Sequence, residues 1–354
     1  MKFFRNAMIA IVIIVVLSMC SFCGFYYYAI SPVSKDTKTI VVEIPLGTSR
    51  ETIFNMLKEK GLIRNTNILK LYLKLNNIKT LQAGNYELNK SMAIAKIVDK
   101  LQDGKVMQEV KMITIKEGKT IKYISAVIND KTDFTSADFL QLMKNETYIK
   151  ELMTKYWFLT DDILDTKVFY PLEGYLFPET YDVYGLTLKE IVELWLDTTN
   201  KKLEPYKTKI NESKYSIHEL MTMASMAELE GKTAESRKKI TDVFYNRIKQ
   251  DMSLGSDVTT YYAVGKSMTE ELTAADLKSN SPYNTRNANL LGLPIGPICN
   301  PGITSIDAAL NPVAGDYLYF VADKNGVVYL TKTYSEHNAI IAKLKKDGLW
   351  YTYE

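Results

Sequence analysis

Cysteine and histidine are scarce in this chain of 354 residues. Of its three cysteines, Cys20 and Cys23 lie in an apolar run near the N-terminus, which leaves Cys299 alone in the remainder. A lone cysteine cannot form a disulfide within its own domain. The two histidines, His218 and His337, are far apart in the sequence. No cluster of metal ligands is therefore indicated, and we expect neither a metal nor another cofactor.

Neither basic nor acidic residues are in large excess. The chain has 44 basic and 41 acidic residues, which gives a net charge of +3. This balance does not favour a nucleic acid as partner. With 46% apolar residues, the chain is long enough to form two globular domains after its N-terminal run.

The N-terminal run, residues 6–34, contains no charged side chain. About 20 apolar residues cross a bilayer core as a helix, so this run predicts a membrane span. Lys2 and Arg5 precede it and favour a cytoplasmic N-terminus. A cleaved signal peptide is the alternative, but its apolar region is usually shorter and ends in small residues, whereas tyrosines occupy residues 26–28. We predict a single-pass anchor at residues 1–34, with the rest of the chain outside the cytoplasm.

The next part, residues 35–110, is predicted to be a small α+β module. Residues 39–44 alternate as in a strand, two helical patterns follow, and residues 83–88 indicate a turn and a second strand. This strand-helix-helix-strand order resembles a LysM-like fold, which commonly binds polymers of amino sugars. Many other α+β modules share the same pattern.

The remaining part, residues 111–354, is predicted to be a larger mixed α+β domain. Residues 169–181 hold two prolines and a glycine among aromatic residues, which predicts an ordered loop that either lines a cleft or packs on the core. Near the C-terminus, residues 317–321 and 327–330 predict a β-hairpin, followed by a helix capped by Ser335.

One helix of this domain carries a glutamate among apolar residues. Ser216 and Glu219 form a capping box that marks its start. At about 100° per residue, Glu228 falls on the stripe of Ile217, Met221 and Ala224, whereas Glu230 points to the other face. A carboxyl group on an apolar face is solvated by a cleft, pairs with a nearby lysine or arginine, or has a raised pKa, as a general acid requires.

Several later segments are rich in polar, aromatic and turn-forming residues. Such segments present fixed hydrogen-bond groups and aromatic faces, which favours a saccharide ligand. They are residues 243–247, 255–262, 281–285 and 292–302.

With these motifs the chain resembles the endolytic murein transglycosylases, also called MltG or YceG-like proteins. The resemblance covers essentially the whole chain. The motifs that carry it are Leu172-Glu173-Gly174-Tyr175-Leu176-Phe177-Pro178, Ala224-Ser225-Met226-Ala227-Glu228, Phe244-Tyr245-Asn246-Arg247, Ser256-Asp257, Tyr283-Asn284-Thr285, Gly292-Leu293-Pro294 and His337-Asn338. Ala227 and Leu229 depart mildly from the usual residues of the family.

The resemblance implies that Glu228 is the acid/base of a lytic transglycosylase. This enzyme would cut nascent peptidoglycan strands between N-acetylmuramic acid and N-acetylglucosamine, leave 1,6-anhydro ends and so terminate strand elongation. Two alternatives stay open. One is a peptidoglycan hydrolase, a muramidase, in which Asp257 assists Glu228, and the other is a non-catalytic cell-wall scaffold.

Further residues are predicted to hold the sugars or to orient the acid, although each could instead cap a loop. They are Glu173, Asn246, Arg247, Ser256, Asp257, Tyr262, Tyr283, Asn284 and Thr285. The implied partners are glycan strands, peptidoglycan synthases such as penicillin-binding proteins, and the machinery of elongation or division. The implied location is the bacterial cell (inner) membrane.

Overall fold

The apolar N-terminal run forms helix α1, Lys2–Ile30. The computed structural model of the chain describes residues 2–45, 47–103 and 110–350. Within α1, the segment Ile11–Ile30 is long and apolar enough to cross a membrane. Most of its side chains are exposed, whereas Ala29 and Ile30 at its end pack against the first unit. This length and apolar character fit membrane anchoring.

The contacts divide the chain into two units, Met1–Glu109 and Val110–Glu354. The sequence predicts three parts, with boundaries after residues 34 and 110. In the structure α1 belongs to the same unit as the small module because Arg64 donates hydrogen bonds of 2.6 Å to the carbonyl oxygens of Ser31 and Pro32, just after the helix.

The first unit has the predicted strand-helix-helix-strand order. Its strands pair antiparallel, with Val42 opposite Tyr86, and both side chains are buried in the core of the unit. The resemblance of this module to LysM stays a prediction. The elements after α1 are β1 (Ile40–Ile44), α2 (Arg50–Glu59), α3 (Thr66–Leu75), β2 (Gly84–Leu88) and α4 (Ile94–Asp103).

The second unit is mostly helical, with two short antiparallel strand pairs, β3 with β4 and β5 with β6. Short 3₁₀ helices occupy Asp161–Leu164 and Glu204–Tyr206. The other elements are β3 (Met112–Thr114), α5 (Ile121–Lys131), α6 (Ser136–Met143), α7 (Glu146–Lys155), β4 (Thr180–Asp182), α8 (Leu188–Leu203), α9 (Lys207–Glu212), α10 (Ile217–Glu230), α11 (Ala234–Lys249), α12 (Asp257–Val264), α13 (Ala274–Leu277), α14 (Ile303–Leu310), β5 (Tyr319–Ala322), β6 (Val328–Thr331) and α15 (Tyr334–Lys346).

Helix α10 is the centre of the second unit, where it packs against α11, α12 and α14. The predicted capping box is confirmed, because Ser216 accepts a hydrogen bond from the Glu219 backbone and the Glu219 side chain accepts one from the Ser216 backbone. Gly231 follows the last helical residue. The start of α10 is therefore where the sequence predicts it, and the helix ends at Glu230.

The aromatic segment at residues 169–181 is ordered, and most of it packs on the core. Leu172, Tyr175 and Leu176 are fully buried. Gly174 has a φ of +88°, and a Cβ there would lie 2.4 Å from the Pro297 side chain, so this close approach requires glycine. The predicted loop, residues 169–181, extends too far toward the C-terminus, because β4 already begins at Thr180 and pairs with β3.

The C-terminal hairpin and helix are present, with shifted ends. The hairpin strands β5 and β6 begin at Tyr319 and Val328. The predicted cap at Ser335 is wrong, because Thr333 caps α15 and forms a capping box with Glu336. Both residues fit the capping rule, and the choice depends on where the preceding strand ends.

Candidate active site

The C-terminal end of α10 carries both Glu228 and Glu230. The sequence places Glu228 on an apolar stripe and Glu230 on the other face, but Met223, Ala224, Met226 and Ala227 are all fully buried, so burial does not distinguish these faces. Helices α11, α12 and α14 pack on α10. The contacts of each carboxyl group, and not the helix face, must therefore decide which glutamate can transfer a proton.

Glu228 is held in a buried ion pair. One of its oxygens, Oε1, contacts Nη2 of Arg237, and its side chain is only 4% exposed. The other oxygen, Oε2, accepts hydrogen bonds from the backbone N–H of Gly302 at 2.9 Å and from the hydroxyl of Ser305 at 2.7 Å. Protein donors thus contact both oxygens of the Glu228 carboxyl group.

Glu230 has a different environment. It is partly exposed, and its Oε1 accepts a hydrogen bond of 2.6 Å from the hydroxyl of Ser256. Burial raises the pKa of the Glu230 carboxyl above its usual value, and the charge of Asp257 raises it further. The hydrogen bond from Ser256 and the charges of Arg286 and Arg247 lower this pKa, but burial is the largest effect. Glu230 is thus a carboxyl group that retains its proton to higher pH than a solvated glutamate and remains accessible.

The segment at the start of α12 holds Ser256 beside Glu230. The backbone N–H of Ser256 donates a hydrogen bond of 3.0 Å to the hydroxyl of Thr285. Asp257 is exposed and forms an ion pair of 2.7 Å with Arg286. Since Thr285 and Arg286 come from one loop, that loop positions both polar residues that surround Glu230.

A cavity of about 500 Å³, which we call the Glu173 cavity, adjoins the end of α10. Glu173 is almost completely buried there, and its carboxyl group accepts hydrogen bonds from the Ile121 backbone, Tyr262 and Asn300. Burial raises the pKa of Glu173 to about 8 despite these donors. The residues that line the cavity include Phe169, Tyr170, Glu173, Leu229, Val258, Tyr261 and Tyr262, with Lys122, Lys144 and Lys266.

The raised pKa of Glu173 predicts a pH-dependent stability. Because the folded protein holds a proton that the unfolded chain releases above pH 4.5, the stabilisation is complete below that pH and is lost as the pH rises to about 8. At about 1.4 kcal/mol per pKa unit, the shift from 4.5 to about 8 makes this loss on the order of 5 kcal/mol. We expect Glu173→Gln, which mimics the protonated group, to gain stability relative to the native chain between pH 5 and pH 8.

Urea unfolding of the purified protein at several pH values measures this difference. Glu179→Gln is the matched control, because Glu179 lies nearby in sequence but is exposed and paired with Lys202. Its unfolding free energy should follow that of the native chain at every pH. Equal pH profiles for Glu173→Gln and the native chain would show that Glu173 is ionised in the folded protein.

The chain is similar to known proteins in sequence and in fold. The model of the YceG-like family matches residues 42–343. The chain belongs to the YceG-like family. The predicted resemblance is therefore confirmed. The curated relatives described next are named as transglycosylases, and they show that the chain is an enzyme of the lyase class.

Curated relatives and a crystal structure agree with the family assignment. A protein of Bacillus subtilis (strain 168), named endolytic murein transglycosylase, is 39% identical over 313 residues, which cover 87% of this chain and 86% of that protein. A protein of the same name from Streptococcus pneumoniae serotype 2 is 34% identical over 90% of this chain but only 61% of its own length. The crystal structure of a putative YceG-like protein from Listeria monocytogenes, 38% identical, superposes with a TM-score of 0.62 and covers 86% of this chain and 100% of that one.

Several residues that the sequence assigns to substrate are buried in the YceG-like enzyme. Asn246 donates to the carbonyl oxygens of Gly315 and Tyr317, at 3.1 and 3.2 Å. Asn284 is fully buried and bonds to Thr260 at 2.6 Å. These contacts hold loops in place.

The remaining predicted residues divide into two groups. Arg247 donates to the carbonyl oxygens of Leu254 and Leu318, at 2.8 and 2.6 Å, and so ties the segment before Ser256 to the C-terminal hairpin. The fully buried Tyr283 packs against Tyr262, with 4.9 Å between the ring centroids, behind the Glu173 cavity. The first group surrounds Glu230 and consists of Arg247, Ser256, Asp257 and Thr285. The second group consists of Glu173 with Tyr262 and Tyr283 near it.

Sequence reasoning missed Arg237, Gly302 and Ser305, which together hold Glu228. Arg237 also donates to the carbonyl oxygen of Gly231 at 3.0 Å, so it fixes the end of α10. No local pattern indicates these contacts, because Gly302 and Ser305 lie more than 70 residues from Glu228, with separations of 74 and 77. The one available signal was the general alternative that Glu228 pairs with a lysine or arginine.

Proposed function

We propose that this enzyme is an endolytic murein transglycosylase, which cuts peptidoglycan strands between N-acetylmuramic acid and N-acetylglucosamine, with Glu230 as its acid/base. The observation that carries this proposal is a partly exposed carboxyl group with a raised pKa at the end of the central helix. A general acid must hold its proton near neutral pH and must be reachable by the scissile oxygen. The name of the curated relatives supports the substrate.

One carboxyl group can serve both steps of this reaction. Protonated Glu230 donates its proton to the glycosidic oxygen as the bond to the anomeric carbon of the muramic residue breaks. The resulting carboxylate then removes the proton from the 6-hydroxyl of the same residue, whose oxygen bonds to the anomeric carbon. The product is a 1,6-anhydro ring, the other strand leaves with a free hydroxyl, and no water is consumed. The hydroxyl of Ser256, 2.6 Å from Glu230, orients the carboxyl group between the two steps.

The predicted acid, Glu228, is the second candidate. Its position two residues before Glu230 on α10 fits the resemblance, but Arg237, Gly302 and Ser305 contact both oxygens of its carboxyl group. We therefore assign Glu228 to positioning the end of α10. Glu230 is the proposed acid because it can act without breaking an ion pair.

The product distinguishes a transglycosylase from the two alternatives. Digestion of purified peptidoglycan by this enzyme is expected to yield 1,6-anhydromuramic ends, identified by mass spectrometry of the released fragments, because the intramolecular hydroxyl replaces water. Reducing muramic ends as the main product would indicate a hydrolase in which Asp257, beside Glu230, activates water. A folded protein that releases no fragments would instead indicate a scaffold.

The membrane helix gives the enzyme its proposed location and role. With Lys2 and Arg5 in the cytoplasm, Val110–Glu354 would lie outside the membrane, close to newly made strands. Cutting strands there would end their elongation, and peptidoglycan synthases would be natural partners. Protease added to intact spheroplasts tests this orientation, because the C-terminal unit should be degraded and a protected unit would contradict it.

A further inference from the structure

The Glu173 cavity has aromatic walls that suit a sugar ring. Phe169 and Tyr262 lie stacked, with 5.7 Å between their ring centroids, and Phe169 keeps 39% of its surface exposed. Tyr170 lines the same cavity. Aromatic faces of this kind pack against the C–H groups of a pyranose, and the tyrosine hydroxyls supply polar contacts. The cavity shares Leu229 with the end of α10 and Val258 with the start of α12, so it adjoins the elements that carry Glu230 and Ser256.

The cavity also carries positive charge that no nearby group balances. Lys122, Lys144 and Lys266 contribute to its lining. Lys266 forms an ion pair of 2.5 Å with Asp276. Lys122 and Lys144 form no ion pair with any residue that the structure describes, and the Nζ of Lys144 lies 5.1 Å from the centre of the Tyr170 ring. Two exposed ammonium groups therefore border an aromatic cavity.

Glu173 does not cancel this charge near neutral pH. Among the lining residues that the structure describes, it is the only carboxyl group, and burial raises its pKa to about 8. Most of it is therefore protonated at pH 7. The ligand that complements the cavity has a saccharide ring and at least one carboxylate.

In peptidoglycan, the carboxylates belong to the short peptide attached through the lactyl group of each muramic residue, whereas N-acetylglucosamine carries no charge. We propose that the Glu173 cavity binds a muramic residue with its peptide, so that Phe169 and Tyr262 contact the sugar while Lys122 and Lys144 bind peptide carboxylates. This inference rests on the proposed function. It adds a preference: strands that retain their peptides are cut faster than strands from which the peptides have been removed.

The test compares two substrates that differ only in the peptide. Uncrosslinked glycan strands are used either intact or after an amidase has removed their peptides, and kcat/KM of the full-length enzyme is measured on each. Two exposed ion pairs, together worth about 1–1.4 kcal/mol, give an expected preference of about fivefold to tenfold for intact strands. In Lys122→Ala/Lys144→Ala the ratio of the two values should fall to about one.

A matched control removes two other exposed lysines. Lys131→Ala/Lys150→Ala changes the net charge equally, but Lys131 and Lys150 pair with Asp130 and Glu146 and do not line the cavity. This variant should keep the native ratio. The inference is overturned if the native enzyme cuts both substrates equally well, or if the control lowers the ratio as much as Lys122→Ala/Lys144→Ala. Failure of the proposed function would appear differently, as a native enzyme that cuts neither substrate.

Discussion

Glu230→Gln is expected to lower the rate of glycan cleavage by about a hundredfold or more, the usual contribution of an acid/base group. Glutamine cannot donate a proton to the glycosidic oxygen or accept one from the 6-hydroxyl. It keeps the size of the side chain, and its amide oxygen can still accept the hydrogen bond from Ser256. The rate is measured as release of fragments from purified peptidoglycan.

The fold of this variant should be unchanged. Burial makes the charged form of Glu230 unfavourable, as the raised pKa of its carboxyl shows, so a neutral amide imposes no new cost. Circular dichroism and the melting temperature should match those of the native enzyme. An inactive Glu230→Gln protein with a lower melting temperature would instead indicate a structural role.

Arg237→Met is expected to destabilise the protein by about 3–5 kcal/mol, because it leaves the buried carboxylate of Glu228 without its charged partner. The side chains of Glu228 and Arg237 are only 4% and 11% exposed, so water cannot replace the lost contact. The variant also loses the hydrogen bond to Gly231 at the end of α10. Urea unfolding measures the change in the free energy of unfolding.

Two variants serve as controls for this measurement. Lys239→Met removes another positive charge from α11, but Lys239 pairs with an exposed partner, Glu235, whose side chain is 75% exposed. Its cost should stay below about 1 kcal/mol. Glu228→Gln/Arg237→Met removes both charges of the buried pair and should cost less than Arg237→Met alone. Equal losses for Arg237→Met and Lys239→Met would contradict the buried ion pair.

The sequence predicts those parts of this structure that local interactions determine. The start of α10 follows from a capping box, whose two hydrogen bonds join residues three apart. Its end follows from Gly231. The order of elements in the first unit and the C-terminal hairpin likewise follow from hydrophobic periodicity and turn residues.

The choice between the two glutamates depends on contacts that are distant in sequence. The apolar stripe predicts a single buried face, but α11, α12 and α14 cover α10 on several sides. Its hydrophobic pattern then no longer distinguishes a face toward the core from a face toward solvent. Glu228 meets Arg237, Gly302 and Ser305, whereas Glu230 meets Ser256, and periodicity reveals none of these pairs.

The sequence also does not reveal which predicted substrate residues are buried. Asn246, Tyr283 and Asn284 belong to motifs of the family, and a motif does not reveal whether a side chain faces the ligand or the protein. In the structure Tyr283 and Asn284 are fully buried, and Asn246 is nearly so. Tertiary packing decides such burial, so direct contact of these three residues with substrate stays a prediction.

The claim that Glu230 rather than Glu228 transfers the proton is tested most directly by one assay on two folded variants. Release of anhydromuramic fragments is measured side by side for Glu230→Gln and for Glu228→Gln/Arg237→Met, in which loss of both charges limits the destabilisation. We expect Glu230→Gln to lose about a hundredfold or more, and the double variant to stay within about tenfold of the native rate. A near-native rate for Glu230→Gln, together with an inactive but folded double variant, would contradict the proposal and assign the acid to Glu228.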